Sequence, residues 1–302
     1  MVEGALVLEG GSLRCQFTAG VLDVFLEEGI LFSYVAGVSA GSMCAMSYIS
    51  GQAGRTRDIN QRFLHDKRYL SFKNMVKNRQ VFNFDFVFGE LSRTLVPFDW
   101  EAFNASPQRF VAVATRCRTG RPAYFEKGIC GDMAAAVAAS SSMPLLSRMI
   151  TVEGKKYLDG GLSMPIPYER AMEEGFEKVV LVLSRDKDYR KPPLGRLTRL
   201  AYDRYFGPLK ELRESIYQIP DRYNRMQEEI GRLEAAGRIF VIRPGRPVTV
   251  SRLERDERKL EALYQEGREM GKERLLELRR YLGVGGDESR PRRNSEGSPC
   301  GP

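Results

Sequence analysis

Four short apolar runs, over residues 5–8, 34–38, 110–114 and 179–183, read as buried strands. Stretches of helical character lie between members of several of these pairs: 18–28, ended by Gly29, 40–49, ended near Gly51, and 132–140, stopped before Pro144. This alternation predicts an α/β fold of parallel strands joined by crossover helices. Further on, a charged helical stretch from 197 to 236 precedes a strand over 238–242, expected at the sheet edge. From 251 to 282, apolar residues at 253, 260, 263, 264, 270, 275 and 278 recur at roughly helical spacing among many charges, which predicts an amphipathic helix covering one face. After Gly283 the chain has almost no apolar content and cannot offset the entropy of folding, so a disordered tail is expected. The expected division is a catalytic core over 1–185, a helical extension with one late strand packed on it over 186–283, and a tail over 284–302.

At 302 residues and 42% hydrophobic the chain can bury a sizeable core. Cys15, Cys44, Cys117, Cys130 and Cys300 form an odd set without a C-x-x-C pair, so neither a disulfide framework nor a zinc site is indicated, and a reducing compartment fits best. Net charge is 47 minus 39, or +8. A basic surface of this kind suits anionic lipid better than nucleic acid, for which no Cys/His finger or aromatic-rich basic strand is present. The first residues read as a strand rather than a signal peptide, and no window approaches the roughly 18 apolar residues of a membrane-spanning helix. The expected location is cytoplasmic, with membrane contact at most peripheral.

Candidate chemistry begins at Gly37-Val38-Ser39-Ala40-Gly41, which follows a strand and opens a helix. A sharp strand-to-helix turn exposes the central serine oxygen, glycines two residues to either side leave room for close approach, and the helix N-terminus favours developing negative charge. A second feature, Gly10-Gly11-Ser12-Leu13-Arg14, lies between the first strand and the first helix. Successive N–H groups in such a loop make a concavity for an oxyanion, with Arg14 adding positive charge. Taken alone it also reads as a tight turn, and neither nucleotide-phosphate motif can be written over it.

A serine nucleophile needs a base. The only histidine, His65, lies 26 residues after Ser39 in a polar segment and reads as a solvated helix residue, leaving a carboxylate for that role. Asp159 is the candidate: it ends the short strand Lys156-Tyr157-Leu158-Asp159 and is followed by Gly160 and Gly161. A carboxylate within hydrogen-bond reach of the serine can accept its proton directly and return it through the leaving group. By itself, Asp-Gly-Gly is usually only a turn.

The glycine loop ending in Arg14, the elbow at Ser39 and the Asp-Gly-Gly at 159 occur in an order that resembles the patatin-like phospholipases, which write G-G-G-x-[KR]-G, G-x-S-x-G, a small-residue run leading to Pro, and D-G-[GA]. Here the third element is Ala138-Ala-Ser-Ser-Ser-Met-Pro144, and the resemblance spans roughly residues 4 to 185. It implies a three-layer α/β/α sandwich with a mainly parallel central sheet, a Ser39–Asp159 dyad and oxyanion donors from Gly10, Gly11 and Ser12. Two positions depart from the pattern: Ser12 replaces the third glycine and Cys15 the closing one. A side chain at position 12 narrows the backbone choices if that position needs a positive φ.

Residues 69–89, dense in aromatics and interrupted by basic residues, read either as core aromatics or as a lid or interfacial patch, and 202–212 is a second lipid-facing candidate. The expected activity is a phospholipase, lysophospholipase or carboxylesterase acting through an acyl-enzyme, without metal or cofactor. An acyltransferase with the same dyad and a non-catalytic binder of anionic lipid are the alternatives.

Overall fold

A computed structural model describes residues 1–74 and 79–284. Eight strands form one sheet: β1 (Val2–Leu8), β2 (Phe32–Val38), β3 (Arg109–Arg116), β4 (Pro122–Glu126), β5 (Ile150–Val152), β6 (Lys155–Asp159), β7 (Val179–Val182) and β8 (Phe240–Ile242). The helices named below are α1 (Gln16–Glu27), α2 (Ala40–Ile49), α3 (Arg55–Phe63), α4 (Trp100–Ala105), α5 (Met133–Ser140), α6 (Tyr168–Glu173), α7 (Arg196–Tyr205), α8 (Lys210–Tyr217), α9 (Ile219–Ala235), α10 (Glu257–Glu273) and α11 (Leu275–Leu282). A kinked helical segment, Phe84–Phe86 running into Val87–Leu95, bends at Gly89.

Five strands are parallel, in the order β3-β2-β1-β7-β8. Their continuous apolar sequences follow from burial on both faces. Leu6 and Leu8 of β1, Ala112 of β3 and Val180 of β7 face a core closed by α1, α2, α5 and α10. Their neighbours Val7, Val111 and Leu181 face a second core closed by α6 and α9. The chain is therefore an α/β/α sandwich with a mainly parallel sheet, and β8 lies at its edge as the sequence suggests.

The antiparallel strands do the work of positioning. β4 lines one edge of β3 throughout Val111–Thr115. The other edge is shared: β2 pairs with it up to Val38↔Val113, and β6 takes over at Asp159↔Ala114. Because β2 is parallel and β6 antiparallel to β3, the carboxyl ends of β2 and β6 meet head-on. The residue after β2 is Ser39 and the last residue of β6 is Asp159.

Some boundaries differ from the sequence reading. The stretch from 197 to 236 is three helices, interrupted around Gly207-Pro208 and at Gln218-Ile219-Pro220, where proline removes a backbone donor. The amphipathic stretch begins only at Glu257, capped by the Asp256 carboxylate, and restarts after Arg274 as α11. Of the tail expected over 284–302, all but residue 284 lies outside the described residues, as do residues 75–78 of the aromatic segment.

Helix α10 crosses α1 at a pair of glycines. A Cβ on Gly20 would lie 2.2 Å from the Tyr264 carbonyl oxygen, and one on Gly267 would lie 2.1 Å from that of Phe17. Both contacts are with backbone, so neither can be relieved by a rotamer change. A Cβ on Gly271, one turn further, would meet no backbone closer than 3.5 Å, and its nearest contact, 3.3 Å to the Val24 side chain, asks only a small shift. Gly267→Ala is expected to destabilise the fold by about 2 kcal/mol or more, lowering Tm by several degrees in a thermal melt, while Gly271→Ala stays near wild type.

Candidate active site

The turn from β2 into α2 forces Ser39 to φ 55° and ψ −130°, a backbone state that L-residues rarely adopt and that only tight surroundings sustain. Those surroundings are glycines. A Cβ on Gly37 would lie 2.6 Å from the Ser42 Cα, and one on Gly41 would lie 2.7 Å from the carbonyl oxygens of Leu8 and Glu9. The elbow thus folds back on itself and presses against the end of β1. The Ser39 N–H donates to Ser140 Oγ at 2.8 Å, and Ser140 Oγ donates onward to the Val113 carbonyl at 2.6 Å. Ser140 belongs to the small-residue run that leads to Pro144, so this run braces the elbow from α5.

Asp159 sits opposite and is buried. The Ser39 hydroxyl donates to its Oδ2 at 2.7 Å, and the Gly161 N–H donates to its Oδ1 at 2.8 Å. Its backbone is fixed too, since its N–H donates to the Ser142 carbonyl at 2.8 Å and its carbonyl accepts from the Thr115 hydroxyl at 2.8 Å. Gly160 permits this approach: a Cβ there would lie 2.1 Å from the Val113 oxygen. Burial is the dominant influence on the Asp159 carboxyl and raises its pKa, while the hydrogen bonds from Ser39 and Gly161 and the charges of Arg252 and Lys191 pull the other way.

The glycine loop runs against the elbow, with a Gly10 Cβ only 3.0 Å from that of Ser39. No described residue accepts a hydrogen bond from the N–H of Gly10, Gly11 or Ser12. Ser12, standing where the resembled motif has a third glycine, does occupy a left-handed conformation at φ 52°. Its hydroxyl donates to the Arg252 carbonyl at 2.7 Å, an anchor glycine would lack. Cys15, in place of the closing glycine, is buried and directs its thiol toward the Glu9 carbonyl at 3.5 Å. Arg14 is buried, and burial first, then Arg185 and Arg252, push its pKa down to about 10.

His65 is placed elsewhere. It stands in an exposed turn after α3 rather than in a helix, with Nε2 3.2 Å from Glu257 Oε1. Among the described residues no cluster of three His, Cys, Asp or Glu side chains is arranged to hold a metal.

Ser12, Ser39 and Met143 stand between two cavities of contrasting character. One is mainly apolar, lined by Met43, Phe82, Phe84, Phe88, Phe98 and Trp100, with Arg55, Asn60 and several serines also reaching it. The described aromatics of the 69–89 segment therefore mostly face inward and line this cavity, although Phe72 is exposed. The other is more polar and contains Asp159, the glycine loop and four cations: Arg14, Arg185, Lys191 and Arg252. Sequence reasoning found the first of these and missed the other three, which carry no motif and converge only through the fold. Ser140 was visible in the small-residue run, but its bond to the Ser39 amide was not.

A family model described as patatin-like phospholipase matches residues 6–172, and one described as a domain of unknown function (DUF6363) matches 209–283. The chain is 28% identical over 253 residues to the uncharacterized protein YjjU of Escherichia coli (strain K12), covering 81% of this chain and 69% of that protein. Among solved structures it is similar to VipD from Legionella pneumophila, at 12% identity and a TM-score of 0.43, over 92% of this chain and 67% of that one. With more than half of its length matched by the phospholipase model, the chain belongs to the patatin-like phospholipase family.

Proposed function

We propose that this protein is a serine lipid acyl hydrolase, a phospholipase, lysophospholipase or carboxylesterase, in which Ser39 is the nucleophile and Asp159 its base. The observation that carries the reading is the 2.7 Å hydrogen bond from Ser39 Oγ to Asp159 Oδ2, made where an apolar cavity meets a polar cleft. Ser39 Oγ attacks the ester carbonyl as its proton passes to Asp159 Oδ2. The N–H groups of Gly10, Gly11 and Ser12 hold the oxyanion. Collapse expels the alcohol, which takes the proton from Asp159 and leaves an acyl-enzyme on Ser39. Water then attacks the acyl-enzyme, giving its proton to Asp159, and the acid departs as Ser39 regains a proton. The acyl chain occupies the mainly apolar cavity, whose aromatic and methionine lining suits an alkyl chain, and the leaving group lies in the cleft.

Peripheral contact with an anionic membrane fits helix α7, beside the cleft. Leu197 is 84% exposed and Leu200 64%, with Arg196, Arg199 and Arg204 on the same short helix. Apolar side chains flanked by cations suit a lipid head-group boundary. This reading belongs with a cytoplasmic protein that meets its substrate at a membrane surface.

Ser39→Ala is expected to lose the fluorophosphonate adduct seen by intact mass in wild type and to lower turnover of short-chain esters by about 1,000-fold or more. Asp159→Asn should lower it by about 100-fold or more. Wild-type turnover should persist in chelator, since a serine–carboxylate mechanism uses no metal. An inert, unlabelled wild type would leave a lipid-binding role instead. The burial of Asp159 also sets the pH dependence. Its raised pKa places the acid limb of kcat/KM above the ~3.9 of a free aspartate, with activity lost as pH falls through that limb. The same shift means that folding disfavours the ionised form, so stability declines as pH rises from ~3.9 through the folded-state pKa. Asp159→Asn should accordingly melt no lower than wild type at neutral pH. Met43→Trp, which fills the apolar cavity one turn from Ser39, should lower kcat/KM for long-chain esters about tenfold relative to short-chain ones.

A further inference from the structure

The cleft beside Ser39 holds a charge imbalance that ester cleavage itself does not use. Arg14, Arg185, Lys191 and Arg252 line it, against Glu9 and Asp159 as the acids, which is four positive charges to two negative. Both carboxylates are already engaged. Glu9 accepts from the Ser184 N–H at 2.7 Å and the Tyr223 hydroxyl at 2.9 Å. Asp159 accepts from Ser39 and Gly161. None of the four cations forms a salt bridge with a described acid.

Three of these cations, Arg14, Arg185 and Lys191, are also partly stripped of water. The Nε atoms of Arg14 and Arg185 are buried without a hydrogen-bond partner among the described residues. Arg185 stacks 4.3 Å above the Tyr189 ring and Lys191 lies 4.2 Å above that of Tyr223, contacts that orient the cations without neutralising them. Burial, with repulsion from Arg252 and Arg14, pushes the Lys191 ammonium down to about 8. Desolvated positive charges without counter-ions destabilise a fold, and a bound anion relieves them. The Ser12 hydroxyl fastens the backbone of Arg252 to the glycine loop, so the cluster is built into the site. Arg185, Lys191 and Arg252 all lie beyond the stretch 6–172 that the phospholipase model matches, and Arg252 falls within the 209–283 stretch matched by the domain of unknown function.

We propose that this cluster binds the terminal phosphate of an acidic lipid head group, so that the site selects phosphomonoester lipids over zwitterionic ones. The proposal rests on Ser39 being the acyl-transfer centre, with the head group on the cleft side. The excess of two positive charges matches a phosphomonoester, which carries ≈ −1.5 to −2 at neutral pH, whereas a phosphocholine group brings its own cation. Guanidinium forks suit the geometry of phosphate oxygens.

Binding and turnover are tested separately. The Ser39→Ala protein is titrated calorimetrically with dihexanoyl phosphatidic acid, dihexanoyl phosphatidylcholine and inorganic phosphate. The phosphatidic acid is expected to bind at least tenfold tighter than either other probe. On that background, Arg185→Gln with Lys191→Gln should reduce the preference below threefold. Arg252→Gln, a change at an exposed side chain that the fold tolerates, should reduce it at least threefold. Equal affinity for the two lipids overturns the proposal. So does inorganic phosphate binding as tightly as phosphatidic acid, which would make this a free-phosphate site, or a preference that survives all three substitutions. Hydrolysis of p-nitrophenyl butyrate by wild type, an ester without a head group, reports on the esterase reading independently.

Discussion

The site depends on the way two strands share one edge of a third. β3 can hold β2 only as far as Val113, and from Ala114 it holds β6 running the opposite way, so the chain ends that follow Val38 and Leu158 are driven together. The hydrogen bond between Ser39 and Asp159 is a consequence of that backbone register rather than of flexible side chains finding one another. Such a junction has little space, which is why the elbow glycines and Gly160 are met by backbone atoms at distances no Cβ would survive. Strain at Ser39 is sustained because the Ser140 hydroxyl, α2 and the end of β1 all fix the same turn.

Burial has opposite effects on the two halves of the site. It makes Asp159 a stronger base than an exposed aspartate, which suits the proton-accepting role proposed for it, and the cost is a less stable ionised form. Arg14 and Lys191 across the cleft are disfavoured by the same desolvation. The two cores on either side of the sheet supply the stability that tolerates both, with the crossing of α1 and α10 locking the helix that follows the glycine loop.

What the sequence disclosed follows from how local each signal is. Ser39 and Asp159 sit in short motifs whose glycines are required by contacts within a few residues or across one strand pair, so both were legible, as were the four strands that are continuous apolar runs. The rest required the fold. β4, with an alternation too weak to stand out, and β5, only three residues long, gave no clear pattern. The left-handed state of Ser12 was raised by its departure from glycine and is now seen to be stabilised by Arg252, 240 positions away, a partnership that no local pattern encodes. Arg185 and Lys191 stand in loops rich in other charges, and only the convergence of β1, β7 and α9 distinguishes them from solvated residues.

The region after β7 is therefore part of the candidate site's construction. β8 extends the sheet, Tyr223 of α9 engages Glu9 at the end of β1, and Arg252 is tied to the glycine loop. Charge links it to the chemistry as well. Arg252 and Lys191 lower the pKa of Asp159, opposing the effect of burial. A phosphate bound among the cations would neutralise that influence and leave the carboxylate more basic, so the base would be strongest when an acidic head group fills the cleft. On the proposed function, recognition of the head group and activation of Ser39 would be two effects of one electrostatic balance.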